Sequence, residues 1–594
     1  MKQKNYILKI IPLQPLPSQA PDFFLYFCNK NYPINRGSLV KINFNKKDIF
    51  GYVYDFRPLE ETKLFIKKLD YQLKPIKEII SPKIIFTDIQ EKLAFKISRI
   101  YNLSLAHAFY LFLKFYINVN NPSIDNHFLT ADLKNQKQKT TQQKFSLEIL
   151  TSLDWEKILT AIDKKKVLLI FPSKEDCEIY YPKIKDKISG LIYLKNLKNF
   201  NNYLQEIISS EKKIFLGNKN IIFLPWQNLD LIIVFNQGSL FYKEFFKTPK
   251  INYLELIEDL AKLMNCHLIY IDHFLSLSLY LKFKNLPYPQ LNFNNFQNIS
   301  DLLKLINNNQ TNKIFILQKN LGQRLICLKC YYQFPCPQCH QYLTVFENNL
   351  FCSFCFKSQP LTNLCPQCQS SEYLSIKGIG AQFIKKLLIN NHFHFYEINN
   401  ENDLKKFKKI KNQNEPHYIV LGNWHVLNLE TDNSFFINFD KGFFSENLFF
   451  KEIYLRLAYN LYKTSKNLFI HTNLNEEKLN EIKEGLIIES ILKERQLNYL
   501  PPFCYQIKLI ARLSDLQKLN YRLISLKEEL KKRTKDLNLK QPILISGPFL
   551  ERILKIKKRY QMYLTLKTKQ RFNLKKLLNN ITLFEELRFD DYDL

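Results

Sequence analysis

At 594 residues the chain is long enough for roughly three to five domains, each with a core of its own. Its formal net charge of +31, from 86 Lys and Arg against 55 Asp and Glu, points to a polyanionic partner, most often nucleic acid. No apolar run approaches the ~18 residues of a membrane span, because Lys114 interrupts the longest candidate, Ala108–Ile117. The opening MKQKNYILKIIPLQPLP has no small-residue cleavage site of a secretory signal, so a soluble, cytoplasmic, membrane-free protein is expected. The lysine excess also has a bland origin: the chain is crowded with Lys, Asn, Ile, Phe and Tyr, all with AT-rich codons.

The first ~80 residues read as β-rich. Val40, Ile42 and Phe44 alternate with polar neighbours, a turn through Asn45–Lys47 follows, and a second strand is expected near Ile49–Phe56 with Gly51 inside it. Helices are expected at Asp88–Ile100 and Leu105–Tyr116, then a polar linker, Asn118–Lys144, rich in Asn, Gln and Lys. Short apolar runs follow at Val167–Phe171, Lys213–Leu216, Leu231–Phe235 and His267–Ile271, as buried parallel strands require. Similar runs recur at Lys313–Leu317, Tyr418–Leu421, Phe435–Asn438 and Leu468–His471, so two α/β layers are expected. No internal repeat is legible in the sequence.

Eight of the twelve cysteines fall between 327 and 368, as four Cys-x-x-Cys pairs: Cys327/Cys330, Cys336/Cys339, Cys352/Cys355 and Cys365/Cys368. Tetrahedral zinc takes four thiolates, and each pair supplies two from one tight turn, so eight ligands imply two closed structural sites. A disulfide cluster would require a secreted chain, and the other cysteines, Cys28, Cys177, Cys266 and Cys504, are isolated as in a reducing compartment. A short hairpin between Cys339 and Cys352, turning at Glu347-Asn348-Asn349, brings its flanking pairs together. Nested pairing then gives Cys336, Cys339, Cys352 and Cys355 to an inner zinc and Cys327, Cys330, Cys365 and Cys368 to an outer one. Sequential pairing stays open, since spacing does not fix connectivity. His340 is surplus to the eight thiolates.

This cysteine ladder, followed by Gly378-Ile379-Gly380 and a helix, resembles the primosomal protein N′ (PriA) family of replication-restart DNA helicases. Other segments resemble the family in the same order: Arg36–Val40 through Gly51–Val53, Leu216–Lys219 through Ile233, Arg495 with Tyr499–Phe503, and Gly547-Pro548 with Arg559–Gln561. The resemblance implies a multidomain α/β chain. It has a 3′-end DNA-binding small β-barrel at 1–82, a winged-helix-like segment at 83–117 and a linker at 118–147. Degenerate RecA-like helicase lobes follow at 148–290 and 291–478, the second carrying the zinc insertion 325–370, with an α+β C-terminal domain at 479–594. It also implies DNA contacts. Phe24, Tyr26 and Lys74 match the family's 3′-end pocket, although Leu25 replaces its intervening polar residue; core packing of the two rings is the competing reading. Arg552, Lys555, Lys557, Lys558 and Arg559 form a basic run suited to phosphates, or simply a solvated face.

The departures bear on activity. A P-loop needs Gly-x-x-x-x-Gly-Lys-Ser/Thr, yet of twelve glycines only Gly378 and Gly380 lie within six residues of each other. Before Val167–Phe171, where the family carries one, stands Leu153-Asp154-Trp155-Glu156-Lys157-Ile158; the family's acidic motif is replaced by Phe235-Asn236-Gln237-Gly238. Its Gly-Arg-x-Gly-Arg segment is missing, since no glycine lies between Gly442 and Gly485. Loss of three parts of phosphoryl-transfer machinery leads to the expectation of a non-enzymatic scaffold without ATP. It would bind branched or forked DNA, hold two Zn2+, work as a monomer and meet primosome and single-strand-binding proteins. Phe235 should fill the place of the metal-binding carboxylate. The competing readings are a zinc-ribbon nucleic-acid adaptor and a relic of an ATP-dependent 3′-5′ DNA helicase.

Overall fold

The structure is a computed structural model that describes residues 6–28, 34–59, 73–113, 145–196, 203–209, 211–244, 250–283, 286–317, 324–338, 342–346, 349–352, 357–411, 417–444, 448–536, 542–554, 559–569, 571–579, 581 and 586–589. The chain forms two compact units, the first built mainly from 1–276 and 570–582, the second from 277–569 and 583–592.

In the first unit, strands β1 (Tyr6–Pro12), β2 (Phe24–Cys28), β3 (Leu39–Phe44), β4 (Lys47–Pro58), β5 (Lys74–Pro75) and β6 (Glu78–Ser81) form one sheet in the order β5-β2-β1-β4-β3-β6. A small β-barrel was expected; among the described residues the strands form a half-barrel sheet with β5 and β6 at its two ends. Asn45 and Lys46 both take left-handed backbone (φ 48° and 65°), which makes the tight β3–β4 hairpin with Phe44 opposite Lys47. At Gly51 a Cβ would come within 2.5 Å of Ile10 Cγ2, so the Ile10 side chain packs into the space that a larger residue on the neighbouring strand would take. The core of this sheet is Leu8, Ile10, Val40, Ile42 and Val53. The helix Asp88–Ile100 begins with a reciprocal capping box between Thr87 and Gln90, and Gln90 Nε2 also donates to the Phe223 carbonyl at 2.8 Å. The next helix is described over Leu105–Leu113; the expected linker Asn118–Lys144 lies outside the described residues.

A parallel sheet follows. Its strands are β7 (Ser146–Leu150), β8 (Val167–Phe171), β9 (Leu191–Tyr193), β10 (Ile214–Asn218), β11 (Leu231–Phe235) and β12 (His267–Ile271), in the order β7-β12-β11-β8-β10-β9. Strands β8 and β11 are apolar and buried along their whole length, as central strands covered on both faces must be. The sequence reading placed the start of this domain at 148 and overlooked β7, whose half-exposed edge position leaves only a weak apolar run.

The second unit opens with β13 (Asn294–Phe296) and β14 (Asn312–Phe315). The cysteine insertion then adds β15 (Arg324–Cys327), β16 (Thr344–Phe346), β17 (Asn349–Phe351), β18 (Ser358–Pro360) and β19 (Leu374–Lys377). Strands β20 (Tyr396–Ile398), β21 (Ile419–Gly422), β22 (Thr431–Phe436) and β23 (Ser465–His471) complete a second parallel sheet, ordered β13-β23-β22-β14-β21-β20.

With the insertion set aside, the two sheets share one topology: first strand at the edge, then sixth, fifth, second, fourth and third. A local clamp is duplicated too. The Asp230 carboxylate accepts from the Lys166 N–H at 2.8 Å, and the Lys166 carbonyl accepts from Asp230 and Leu231 at 3.0 and 3.3 Å. In the second sheet the Asp432 carboxylate accepts from the Thr311 N–H at 3.0 Å, and the Thr311 carbonyl accepts from Asp432 and Asn433 at 3.1 and 3.0 Å. Each sheet also buries a lysine beside its clamp. Lys166 Nζ donates to the Ile207 and Ser209 carbonyls, and Lys313 Nζ to the Leu427 and Leu429 carbonyls and Thr464 Oγ1. Burial pulls their pKa values down to about 8 and about 7. The repeat lives in backbone topology, which the sequence does not display.

The last sheet, β24 (Tyr505–Leu513), β25 (Leu544–Leu554), β26 (Arg559–Thr568) and β27 (Glu586–Phe589), is antiparallel. Helix Leu516–Asp536 lays Leu519, Leu523, Leu526 and Leu530, one stripe at helical spacing, against it.

Arg495, at the foot of this domain, is fully buried. It pairs with Glu452 at 2.8 Å, lies 4.6 Å over the Phe449 ring and donates to the Pro501 carbonyl. Glu452 also takes Arg456 at 2.7 Å, so one buried carboxylate balances two guanidinium groups. Glu452→Ala is expected to cost about 3–5 kcal/mol, since it strands two buried cations. Denaturant unfolding of the full chain measures it, and a loss below about 1 kcal/mol would mean that water reaches the pair.

Candidate functional site

The carboxyl ends of parallel strands are where open α/β sheets place ligands, so the fate of those ends in the first sheet matters. Strands β8 and β11 finish on Phe171 and Phe235, whose rings stack at 4.5 Å and 6° with Tyr180 against Phe171. Phe235 is buried in the apolar core of this sheet. Tyr242, fully buried, donates to the carbonyls of Ile170 and Phe235, and burial drives its phenol pKa upward. The neighbouring Asp272 carboxylate accepts from the Gly238 and Phe274 N–H groups at 2.8 and 3.3 Å. Between β7 and helix Trp155–Ile162 runs the turn 151–154. The Asp154 side chain caps that helix by accepting from the Lys157 N–H at 3.2 Å, a bond that lowers its own pKa. A carboxylate therefore satisfies the free N–H groups at this helix start.

In the insertion, pairing of β15 with β19 brings Cys327 beside Leu374. The pairs Cys327/Cys330 and Cys365/Cys368 then converge, all four sulfurs lying within 4.8 Å of one another. Cys327 Sγ is 3.5 Å from Cys368 Sγ, and Cys330 Sγ is 3.5 Å from Cys365 Sγ. Thiolates at ~2.3 Å from a tetrahedral zinc stand about 3.8 Å apart, so the four thiols fit a metal ion with little movement. Both turns share one backbone pattern. The Cys327 N–H donates to the Tyr332 carbonyl and the Tyr331 N–H to the Cys327 carbonyl; Cys365, Ser370 and Gln369 repeat it, with Tyr331 and Gln369 both left-handed. Desolvation would raise the Cys327 pKa, but the N–H groups of Cys330 and Lys329 together with the neighbouring Cys368 and Cys330 thiols bring it below the ordinary thiol value, while the Cys330 thiol is itself pushed up.

The inner set is described in part. Cys336 and Cys352 are fully buried in one cluster with Leu325, Phe334, Leu343, Val345 and Leu350, and the Cys352 N–H donates to the Lys357 carbonyl, a bond of the same sequence span as Cys327 to Tyr332 and Cys365 to Ser370. The hairpin β16–β17 lies between the two pairs as its spacing suggested. Cys339, His340 and Cys355 lie outside the described residues.

At the N-terminal sheet the aromatic pair turns inward. Strand alternation points Phe24 and Tyr26 into the half-barrel, where Phe24 packs edge-on against Phe44 at 4.9 Å and Tyr26 donates to the Asn43 carbonyl at 3.0 Å. Burial raises the Tyr26 pKa to about 12. Lys74, opposite Tyr26 in register, is exposed, so of the three expected contacts only this one presents itself openly to solvent. Arg559 opens β26 half-buried, and Arg552 pairs in register with Gln561; Lys555, Lys557 and Lys558 lie outside the described residues. No described helix is long and apolar enough to cross a membrane.

Comparison with known proteins fits this layout. The 3′DNA-binding domain (3′BD) family of PriA matches residues 13–114. Replication restart protein PriA of Helicobacter pylori strain J99 is 28% identical over 205 residues, 31% of this chain and 33% of the relative. PriA of Rickettsia felis is 20% identical over 425 residues, 61% of this chain and 62% of its own length. PriA of Chlamydia trachomatis is 26% identical over 217 residues, 30% of this chain and 28% of the relative. The matched stretch thus spans about a third of the length of most of these curated relatives. Residues 13–114 thus match a 3′DNA-binding domain of PriA, and the chain is similar over part of its length to replication restart proteins PriA.

Proposed function

We propose that the chain works in replication restart as a binder of branched or forked DNA and as a scaffold, without hydrolysing ATP. The match of residues 13–114 to a 3′DNA-binding domain carries the DNA reading. The scaffold reading is supported by the stacked Phe171–Phe235 pair and the Asp154 cap, together with the lack of any Gly-x-x-x-x-Gly spacing in the sequence. An apolar stack offers no oxygen ligand for magnesium and nothing to polarise water. The two parallel sheets of shared topology would then survive as frames, the degenerate helicase lobes of the sequence reading. Two Zn2+ held by the nested cysteine sets would stiffen the insertion. Primosome and single-strand-binding proteins are the partners this role implies, with the chain acting as a monomer.

Titrating a fork with an exposed 3′ end against linear duplex of equal length tests the reading. Tighter binding to the fork is expected, a preference weakened by Lys74→Ala, and no ATP turnover with either DNA. Equal affinities that Lys74→Ala leaves unchanged would reduce the chain to a basic protein adhering to a polyanion. A DNA-stimulated ATPase abolished by substitutions within 151–238 would overturn the scaffold role.

A further inference from the structure

We propose that residues 571–581 form a charged clasp that fastens the N-terminal half-barrel and its helix pair to the first parallel sheet, and that salt controls its release. Although they follow β26, these residues pack within the first unit. Leu574 and Leu577 are fully buried, Leu578 and Ile581 nearly so, and the short helix Leu574–Leu577 packs on helix Asp88–Ile100. A four-residue helix has no stability of its own, so this segment holds its shape only through what it touches.

Its polar ties reach three separate pieces of the unit. To the loop before β2, Lys575 pairs with Asp22 at 2.5 Å, and Gln19 Nε2 donates to the Ile581 carbonyl at 3.2 Å. At the end of helix Asp88–Ile100, Arg571 donates to the Tyr101 hydroxyl at 3.4 Å and lies 5.6 Å from that ring's centre. On helix Tyr253–Met264, which flanks the parallel sheet, Arg571 makes an ion pair with Glu255. Asn252 completes the junction: its N–H donates to the Tyr101 hydroxyl at 3.1 Å and its Nδ2 to the Glu255 carboxylate at 3.0 Å. One arginine therefore joins the end of the helix pair to the start of a helix on the parallel sheet, while Lys575 and Ile581 hold the half-barrel. Both ion pairs keep partial solvent access, with side chains about a fifth to a half exposed, so dissolved ions can screen them. The inference stands on these contacts and is independent of the DNA reading.

Hydrogen exchange on the full chain tests it. In low salt, the double variant Arg571→Ala with Lys575→Ala should speed amide exchange in 88–101 and 253–264 by on the order of tenfold, while β24 exchanges as before. Raising salt to about 1 M should move the unmodified chain the same way. Exchanging the charges, Asp22→Lys with Lys575→Asp, should restore protection around Asp22 that either single change removes. If only 571–581 itself exchanges faster, or the exchanged pair fails to restore protection, the segment is a passive passenger and the clasp is wrong.

Discussion

Between roughly 50 and 200 mM salt, the affinity of the full chain for forked DNA is expected to fall on the order of a thousandfold. The size follows from counterion release: each phosphate neutralised by Lys or Arg frees condensed cations, so affinity falls as a power of salt concentration. With about six phosphates contacted, the logarithmic slope is about −5. A net charge of +31 gives ample cations for six contacts. Arg559→Ala should flatten the slope by about one and weaken fork and linear duplex alike, because phosphate contacts position without specifying. Anisotropy titrations across a salt series read both effects. A slope shallower than about −2 would mean that the charge is spread over the surface and engages no DNA track.

The second large effect concerns the cysteines. Metal analysis of the full chain in reducing buffer is expected to give two zinc ions. Cys327→Ser should release the outer ion and leave the inner, and Cys336→Ser the reverse. Closed four-thiolate sites are worth about 10–16 kcal/mol of apparent binding free energy, so losing the ion costs the local fold as well. In the outer site that fold is the pair of matching turns at Cys327 and Cys365; in the inner it is the apolar cluster around Cys336 and Cys352. Exchange of the β16–β17 amides should therefore quicken in Cys336→Ser while β15–β19 stays protected. If Cys336→Ser and Cys352→Ser disturb different ions, the pairing is sequential and the nested assignment falls.

Much of the local structure was legible in the sequence. The helix Asp88–Ile100 and the strands Val167–Phe171, Leu231–Phe235 and His267–Ile271 were expected with the bounds they have, because long periodic or fully apolar runs carry their signal locally. Short or edge strands did not announce themselves: β9, β13 and β20 are three residues each and gain their definition from neighbours. The Phe24–Leu25–Tyr26 segment shows the same limit at a site. Its composition suits either a binding pocket or a core, and only alternation along β2 puts both rings inside, leaving Lys74 to face solvent.

Sequence alone determined the features that depend on residue type and close spacing. Four Cys-x-x-Cys pairs supply the thiols and spacing that a metal knuckle uses, and a chain in which no two glycines stand five residues apart lacks the Gly-x-x-x-x-Gly of a P-loop. Tertiary structure decided what depends on residues far apart in the chain. It gave both parallel sheets one strand order, stacked Phe235 on Phe171, drew Cys327 and Cys365 together and returned residues 571–581 to the first unit. The physical reason is range. Backbone turns and side-chain chemistry act over a few residues, whereas strand order and burial are set by which distant surfaces exclude water together.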